Sequence, residues 1–319
     1  MKDGGFRINR RYDRVKVQAR LELGETMNRK KQKKTIWKIV MWIALIGCLT
    51  CFGFAGWYLW SSAQAQKEYE ELQAQMAAEA EKETAEEVQE YTLEEIQAAE
   101  FTGEIEVDTP EPEIPEGVIQ EAEENPIDFD KLAEINSELY AWIRIPNTNI
   151  DYPIAQHAGA DQSFYLHHDM YQEPRFSGCI YSETLNQMDF SDPVTVLYGR
   201  NMKNGSMFQN LHLFRNAEFF EENEFIYIYT PDKIRIYQIF AVYPYDDRHI
   251  LNSFDFTDEQ VLEEYLKDCQ NPRSMEALGR DDVEVSTDTP ILTLSTCIGG
   301  RTEERLLVQA VLMYEKDGK

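Results

Sequence analysis

Basic residues are scarce in this 319-residue chain, in which 31 lysines and arginines stand against 58 aspartates and glutamates. The formal net charge is −27 at pH 7, and the first 38 residues are net basic while the rest is acidic. Nucleic-acid phosphates would be repelled by the acidic part of such a chain. The composition therefore excludes a nucleic-acid-binding protein.

Charged residues are absent from Ile39–Trp60, a stretch close to the ~20 apolar residues that cross a bilayer as a helix. The basic cluster Arg29–Lys34 precedes it, and the positive-inside rule places residues 1–38 in the cytoplasm and the chain after Ser61 outside. A cleaved signal peptide is the competing interpretation, but only the weak site Ser62–Ala65 follows a span that is long for one. We expect a retained membrane anchor over residues 39–60.

Cysteines are few, and they do not form a disulfide framework. Cys48 and Cys51 lie in the uncharged span, which leaves Cys179, Cys269 and Cys297 outside it. An odd number of cysteines in an oxidising compartment leaves at least one thiol unpaired.

Residues 61–125 are strongly acidic and are predicted to form an extracellular stalk. Their first part is rich in Ala, Glu and Gln, and its apolar positions Tyr69, Leu72 and Met76 are too sparse for a sustained heptad. A solvated helix or loose coil is favoured there over an oligomerisation module. Residues 101–125 are rich in Glu, Asp and Pro and are predicted to be an extended linker.

Residues 126–319 are predicted to form one folded domain that is mainly β, a sandwich or a barrel with a few short helices. The eight candidate strands are Ala141–Ile145, Asp151–Ala155, Gly178–Ser182, Val194–Tyr198, Phe225–Tyr229, Ile234–Tyr243, Ile291–Thr296 and Leu306–Tyr314. The candidate helices are Asp130–Leu139, Met207–Phe214 and Val261–Cys269. The last helix lies in the long connection Pro244–Pro290 and follows a capping-box spacing at Thr257–Gln260.

A thiol stands at the end of an apolar β-type run, Thr293–Cys297, and Arg305 begins the next one. A nucleophilic cysteine needs a group that favours its thiolate and a donor for the developing oxyanion, and an arginine on the neighbouring strand serves both needs. The alternatives are an inert core thiol and an arginine that pairs with Glu303 and Glu304 on the surface.

The segment Thr-Leu-Ser-Thr-Cys with a strand-borne arginine resembles the signature of the sortases, the membrane-anchored cysteine transpeptidases of bacteria, and most closely class B. Family members close a strand with Tyr-Gly-His-Asn-Met, and the matching stretch here is Tyr198–Met202, with Arg200 in place of the histidine. The resemblance implies a closed eight-stranded barrel. It also implies catalytic roles for Cys297, Arg305 and position 200, and a cleft lined by Ser295 and Thr296.

The activity implied by the resemblance is cleavage of a C-terminal sorting signal through a thioacyl enzyme. Its implied partners are secreted proteins that carry such a signal and an amine of a peptidoglycan precursor or cell-wall peptide. The resemblance implies no cofactor and no metal.

Arg200 raises a chemical difficulty, because a leaving amine needs a proton from a group that titrates near the working pH. An arginine side chain stays protonated and cannot supply it. Two functions therefore stay open: a slow or unusual transpeptidase, and a catalytically inactive relative that binds sorting-signal peptides or an assembly partner. The chain has five histidines. His249 is the best candidate substitute, whereas His212 is expected to be solvated on its helix.

Overall fold

The computed structural model describes residues 37–38, 40–57, 60–61, 63–78, 115, 118–119 and 125–318. The chain divides into two compact units between Ser61 and Ser62. In the first unit, Val40–Trp57 forms a helix with a mean hydropathy of 1.8 and no buried residues. It is long and apolar enough to cross a membrane, which is consistent with the predicted anchor. The basic cluster Arg29–Lys34 lies outside the described residues.

The second unit is built on one β-sheet. Its strands are β1 (Leu139–Arg144), β2 (Asp151–Gln156), β3 (Ile180–Ser182), β4 (Val194–Tyr198), β5 (Phe225–Tyr229), β6 (Lys233–Asp246), β7 (Leu278–Gly279), β8 (Ile291–Ile298) and β9 (Arg301–Asp317). The strand order is β5-β1-β2-β3-β4-β8-β9-β6-β7, and β5 also pairs with β6. That pairing closes every strand except the short β7 into a ring. The predicted closed eight-stranded barrel is confirmed.

Helices precede the first strand and lie in the connections of this barrel. They are α1 (residues 63–78), α2 (Phe129–Ile135), α3 (Phe164–His167), α4 (Ala217–Glu222), α5 (Ile250–Ser253) and α6 (Glu259–Gln270), with a 3₁₀-helix at Phe208–Arg215. The N-cap of α6 lies one residue later than the capping box expected at Thr257–Gln260: it is Asp258, whose side chain accepts a hydrogen bond from the Gln260 N–H at 2.9 Å. The first predicted domain helix is too long, because α2 ends at Ile135 and Leu139 already begins β1.

Strands β4 and β8 are parallel neighbours at the centre of the sheet, and their apolar runs are buried on both faces. One face contributes to the main core. The other face is covered by α6, whose Leu262, Leu266 and Cys269 pack on it. Near the end of β8, Cys297 is the one residue of the strand that is exposed.

Helix α1 corrects the expectation of a solvated stalk for residues 63–78. Its residues Ala65, Tyr69, Leu72 and Met76 are buried, and the last three belong to the main core of the domain. The spacing of these positions forms a single helical stripe, which is enough for docking on a domain although it is too sparse for a coiled coil. Residues 79–114, which the analysis also assigned to the stalk and linker, lie outside the described residues.

The contacts of α1 are specific. The Tyr69 ring meets the Tyr152 ring edge to face with centroids 5.2 Å apart, and the Tyr69 hydroxyl donates to the Gly178 carbonyl at 3.4 Å. Glu68 pairs with Arg175 at 3.0 Å. Burial raises the pKa of the Tyr69 hydroxyl well above its ordinary value, so the side chain stays neutral in this core.

We expect Tyr69→Ala to lower the free energy of unfolding of residues 62–319 by about 3 kcal/mol, because it deletes a fully enclosed aromatic ring. Urea denaturation measures this change. Gln75→Ala, at an exposed position of the same helix, is the matched control and should change the stability little. Equal stabilities for both variants would mean that α1 stands free of the barrel in solution.

Candidate active site

Cys297 is the exposed residue of strand β8, whose other positions are all buried. The strand ends one residue later in a tight hairpin, where Ile298 pairs with Arg301 and Gly300 adopts a φ of 80°. A positive φ of this size favours glycine, so the Gly299–Gly300 pair allows β9 to return directly beside the thiol.

The other cysteines of the second unit are buried. Burial raises the pKa of the Cys179 thiol to about 12 and that of the Cys269 thiol to about 11. All five cysteines are free. A nucleophilic thiol must be accessible and able to ionise, and of the three cysteines outside the predicted span Cys297 alone is exposed.

Arg305 lies directly across from Cys297 in the antiparallel pairing of β8 and β9. Paired residues place their side chains on the same face of a sheet, so the guanidinium and the thiol share one surface. The Arg305 Nη1 donates to the backbone carbonyls of Thr302 at 3.2 Å and Glu304 at 3.1 Å. These bonds hold the side chain near the hairpin.

The alternative role considered for Arg305 is a surface ion pair with Glu303 or Glu304. Among the described residues, Arg305 forms no such pair. Arg301 takes that role instead and pairs with Glu276 at 2.8 Å and Glu304 at 3.0 Å. The N–H groups of the Arg305 guanidinium are therefore not paired with any described carboxylate.

Arg200 follows the end of β4, on the other side of β8. Tyr198 pairs with Ser295 in parallel register, and the Gly199 N–H continues the ladder to the Ser295 carbonyl at 3.2 Å. β4 ends at Tyr198, and an extended continuation of that register by two residues would bring Arg200 level with Cys297 on the same face. A side chain at position 199 would not fit, because its Cβ would lie 2.6 Å from Ile180.

The Arg200 guanidinium is held by the connection between β2 and β3. Its Nε donates to the Leu166 carbonyl at 2.8 Å, and its Nη2 donates to His167 Nδ1 at 3.0 Å. Its Cζ lies 4.6 Å from the centroid of the Phe176 ring, within the range of a cation–π contact. His167 is thereby engaged with the residue that replaces the expected histidine.

Of the two predicted cleft residues on β8, only Ser295 shares the face of Cys297. Thr296 alternates to the opposite face, where it is 2% exposed and its Oγ1 donates to the Gly199 carbonyl at 2.8 Å. The expectation that Thr296 lines the cleft is therefore corrected, because the side chain fastens β8 to the end of β4.

Two tyrosines lie on the strands next to the thiol, with Tyr181 buried and Tyr198 half-buried. Tyr181 on β3 pairs with Tyr198 on β4, and their rings stack with centroids 5.4 Å apart. Burial and the Glu183 carboxylate raise the pKa of Tyr181, while the Arg200 charge opposes this shift. The Tyr198 hydroxyl is buried and has no hydrogen-bond partner within the described part of the chain.

His249 lies close to this aromatic surface, with its ring 6.3 Å from that of Tyr198. Both of its nitrogens are engaged: Nε2 lies 2.5 Å from Glu183 Oε2, and Nδ1 accepts from the Asn252 N–H at 3.2 Å. The sequence favoured His249 as the substitute imidazole, but the structure fixes it as the N-cap of α5.

The contact at Cys297 that the sequence did not predict is made by His212. Its Nε2 lies 3.1 Å from the Cys297 carbonyl oxygen, and Asn201 Nδ2 donates to the same oxygen at 2.9 Å. The signal was the three-residue spacing of Phe208, Leu211 and Phe214, which indicates a 3₁₀-helix with one deeply buried side. That packing brings His212 to the end of β8 instead of into solvent.

A cavity of about 750 Å³ adjoins the site on the far side of Arg305. Tyr245, which pairs with Arg305 across β9 and β6, is in its wall, together with Phe254 and Tyr265 from the α5 and α6 region. Its rim carries both acidic and basic side chains. Its lining therefore combines aromatic and charged side chains.

Comparisons with known proteins agree with this geometry. A family model described as the sortase domain matches residues 143–313. Sortase B of Listeria monocytogenes is 31% identical over 185 residues, which cover 57% of this chain and 72% of that protein. Sortase B of Staphylococcus aureus is 26% identical over 187 residues, covering 58% of this chain and 74% of that protein.

Solved structures give the same result. The X-ray structure of Clostridium perfringens sortase B has a TM-score of 0.53 and 32% identity, and the match covers 59% of this chain and all of that one. A Staphylococcus aureus sortase B–substrate complex has a TM-score of 0.52 and 26% identity, with 58% of this chain and 83% of that chain covered.

Proposed function

Because this chain belongs to the sortase family, and within it to class B, we propose that Cys297 is the nucleophile of its transpeptidation and that Arg305 binds the developing oxyanion. The observation that carries this assignment is the direct pairing of an exposed thiol with an arginine on the adjacent strand. A guanidinium so placed favours the thiolate and stabilises negative charge on the substrate carbonyl oxygen.

The proposed substrate is a secreted protein with a sorting signal near its C-terminus. The Cys297 thiolate attacks the carbonyl carbon of the scissile amide, the C–S bond forms, and the amine leaves with a proton. An amine of a cell-wall peptide or peptidoglycan precursor then attacks the thioester, and the thiolate departs. The net reaction exchanges one amide for another.

The substrate segment is proposed to lie across the face that carries Cys297, between the Tyr181–Tyr198 surface and the cavity behind Arg305. The half-buried Tyr198 ring, stacked on Tyr181, provides an apolar contact for an extended peptide. The apolar helix Val40–Trp57 would anchor the enzyme in the bacterial cell membrane, with the barrel outside the cell, where sorting signals and wall peptides meet.

The test uses the chain in detergent with a sorting-type peptide and with a thioester of the same acyl part. Intact-mass spectrometry should detect an acyl adduct that maps to the peptide containing Cys297, and an added amine should release it. If Cys297 reacts with iodoacetamide but neither substrate acylates it, the protein is better described as a peptide-binding relative without catalysis.

Arg200→His is expected to raise turnover of the amide substrate by at least about 10-fold, because a tuned general acid contributes ~10²–10⁴-fold and an arginine contributes none. The pairing of Tyr198 with Ser295, two residues before each of these positions, supports an imidazole at position 200 within reach of the thiol. The thioester should gain little, since its leaving group needs no proton. Steady-state turnover of both substrates measures the effect.

Arg200→Gln is the control for that substitution, because it removes the guanidinium without supplying an imidazole. If it raises amide turnover as much as Arg200→His does, the gain comes from releasing the contacts to Leu166 and His167. If neither variant exceeds the natural protein in amide turnover, Arg200 does not limit the reaction and another group supplies the proton.

A further inference from the structure

The ring of His212 is held firmly against the end of β8. It belongs to the 3₁₀-helix Phe208–Arg215, in which Phe208, Leu211 and Phe214 have no exposed surface. Three fully enclosed side chains fix the helix on the barrel, and His212 is left half-buried beside Cys297. The imidazole is therefore positioned by packing and not by a flexible surface loop.

Three polar atoms meet at this point: His212 Nε2, the amide nitrogen of Asn201 and the carbonyl oxygen of Cys297. Nε2 lies 3.0 Å from Asn201 Nδ2 and 3.1 Å from the carbonyl oxygen. A protonated Nε2 donates to the carbonyl, and an unprotonated Nε2 accepts from the Asn201 amide. Both protonation states therefore have a hydrogen-bond partner, which is what a group that gains and loses a proton requires.

The remaining histidines are engaged elsewhere. His167 accepts from Arg200, and His249 is fixed by Glu183, as described above. His157 Nδ1 lies 3.0 Å from a Glu138 carboxylate oxygen, and His168 stacks on Phe164 at 3.8 Å. His212 is the one histidine in hydrogen-bond contact with the Cys297 residue.

We propose that His212 is the proton-transfer residue of this enzyme, in the role that Arg200 cannot perform. In acylation the C–N bond breaks, its electron pair stays on the leaving nitrogen, and that nitrogen takes the proton from His212 Nε2. In the second step the neutral imidazole accepts a proton from the attacking amine while the C–S bond breaks. The proton that His212 gives up in the first step is regained in the second. This role rests on the transpeptidation proposed above.

The environment of His212 favours the neutral ring between turnovers. Burial lowers the pKa of the imidazole, the nearby Arg215 charge acts in the same direction, and the hydrogen bond to the Cys297 carbonyl opposes both. A neutral ring is ready to accept a proton from the attacking amine. Because a lowered pKa reduces the fraction of imidazolium, we expect acylation by an amide to be slower than acylation by a thioester.

The decisive variant is His212→Gln, whose amide N–H can still donate to the Cys297 carbonyl but cannot exchange a proton at this pH. We expect amide turnover to fall by about 10²-fold, the lower end of a general-acid contribution. Acylation by the thioester should stay within about 3-fold, since its thiolate leaving group needs no proton. The rate of Cys297 alkylation by iodoacetamide should not change.

Two further variants complete the design. Combining Arg200→His with His212→Gln should restore amide turnover, because an imidazole at position 200 makes the one at 212 dispensable. His157→Gln, at a histidine that pairs with Glu138, is the matched control and should leave the ratio of amide to thioester rates unchanged.

Several results would overturn this role. If His212→Gln slows amide, thioester and alkylation alike, the residue only positions Cys297, and the transpeptidase assignment stands without it. Unchanged amide turnover in His212→Gln, or thioester turnover with no amide turnover in the natural protein, also removes His212 as proton donor. If neither substrate acylates the natural chain, the proposed function fails and this role fails with it.

Discussion

Cys297→Ala is expected to abolish both amide and thioester turnover. Removing a catalytic nucleophile costs on the order of 10⁶-fold in rate where it has been measured, and no described group near the site replaces a thiolate. The acyl adduct seen by intact-mass spectrometry should disappear as well. The loss should be the same for both substrates, because each requires the C–S bond.

Cys269→Ala is the matched control for that loss. Its thiol is on the side of α6 that packs on the sheet, where the Tyr243 hydroxyl donates to its sulfur at 3.3 Å, and burial keeps it protonated. We expect this variant to retain turnover while losing some stability through the cavity it leaves. Acyl transfer that survives in Cys297→Ala would place the nucleophile elsewhere and remove the central assignment.

The strands of the barrel could be predicted from the sequence because the signal for each is local. Val194–Tyr198 and Phe225–Tyr229 were predicted to the residue, since apolar and β-branched runs bounded by turn residues specify a strand without reference to its partner. Strand β9 starts at Arg301, five positions before the predicted Leu306. The charged residues at the start of β9 belong to the strand because the hairpin pairs it with β8. A hydropathy pattern does not show this pairing.

The part of the candidate site that depends on the pairing of β8 with β9 could be predicted from the sequence. Thr293–Cys297 and Arg305 come together because a tight hairpin joins their strands. The environments of Arg200 and His212 depend on contacts across the barrel, from the β2–β3 connection and from a 3₁₀-helix. No local pattern reports such contacts, and for the same reason the docking of α1 was missed.

Helix α1 and the site are physically connected. Arg175, which pairs with Glu68 of α1 and with Asp169 at 2.7 Å, lies in the β2–β3 connection that also holds the Arg200 guanidinium. Helix α1 therefore supports the β2–β3 connection, which contacts Arg200 at the candidate active site. A soluble protein that starts at residue 126 would lack this support, so activity should be measured on proteins that include α1.

Arg305→Ala is expected to lower turnover of both substrates by about 10²–10³-fold, the range for loss of an oxyanion donor. An oxyanion develops whether the leaving group is an amine or a thiolate, so the two rates should fall in parallel. This differs from His212→Gln, where the acylation rate should fall for the amide and not for the thioester. The ratio of the two acylation rates thus separates charge stabilisation by Arg305 from proton donation by His212.

Arg301→Ala supplies the matched control, because this arginine is on the same hairpin but is exposed and paired with Glu276 and Glu304. Exposed ion pairs contribute about 0–1 kcal/mol to stability, and no reacting atom depends on this one. Its turnover should stay close to that of the natural protein. Equal losses in both arginine variants would indicate that the hairpin's shape, and not the Arg305 guanidinium, sustains the reaction. An Arg305→Lys variant that keeps full activity would show that a positive charge alone suffices beside Cys297, without the planar donor geometry of arginine.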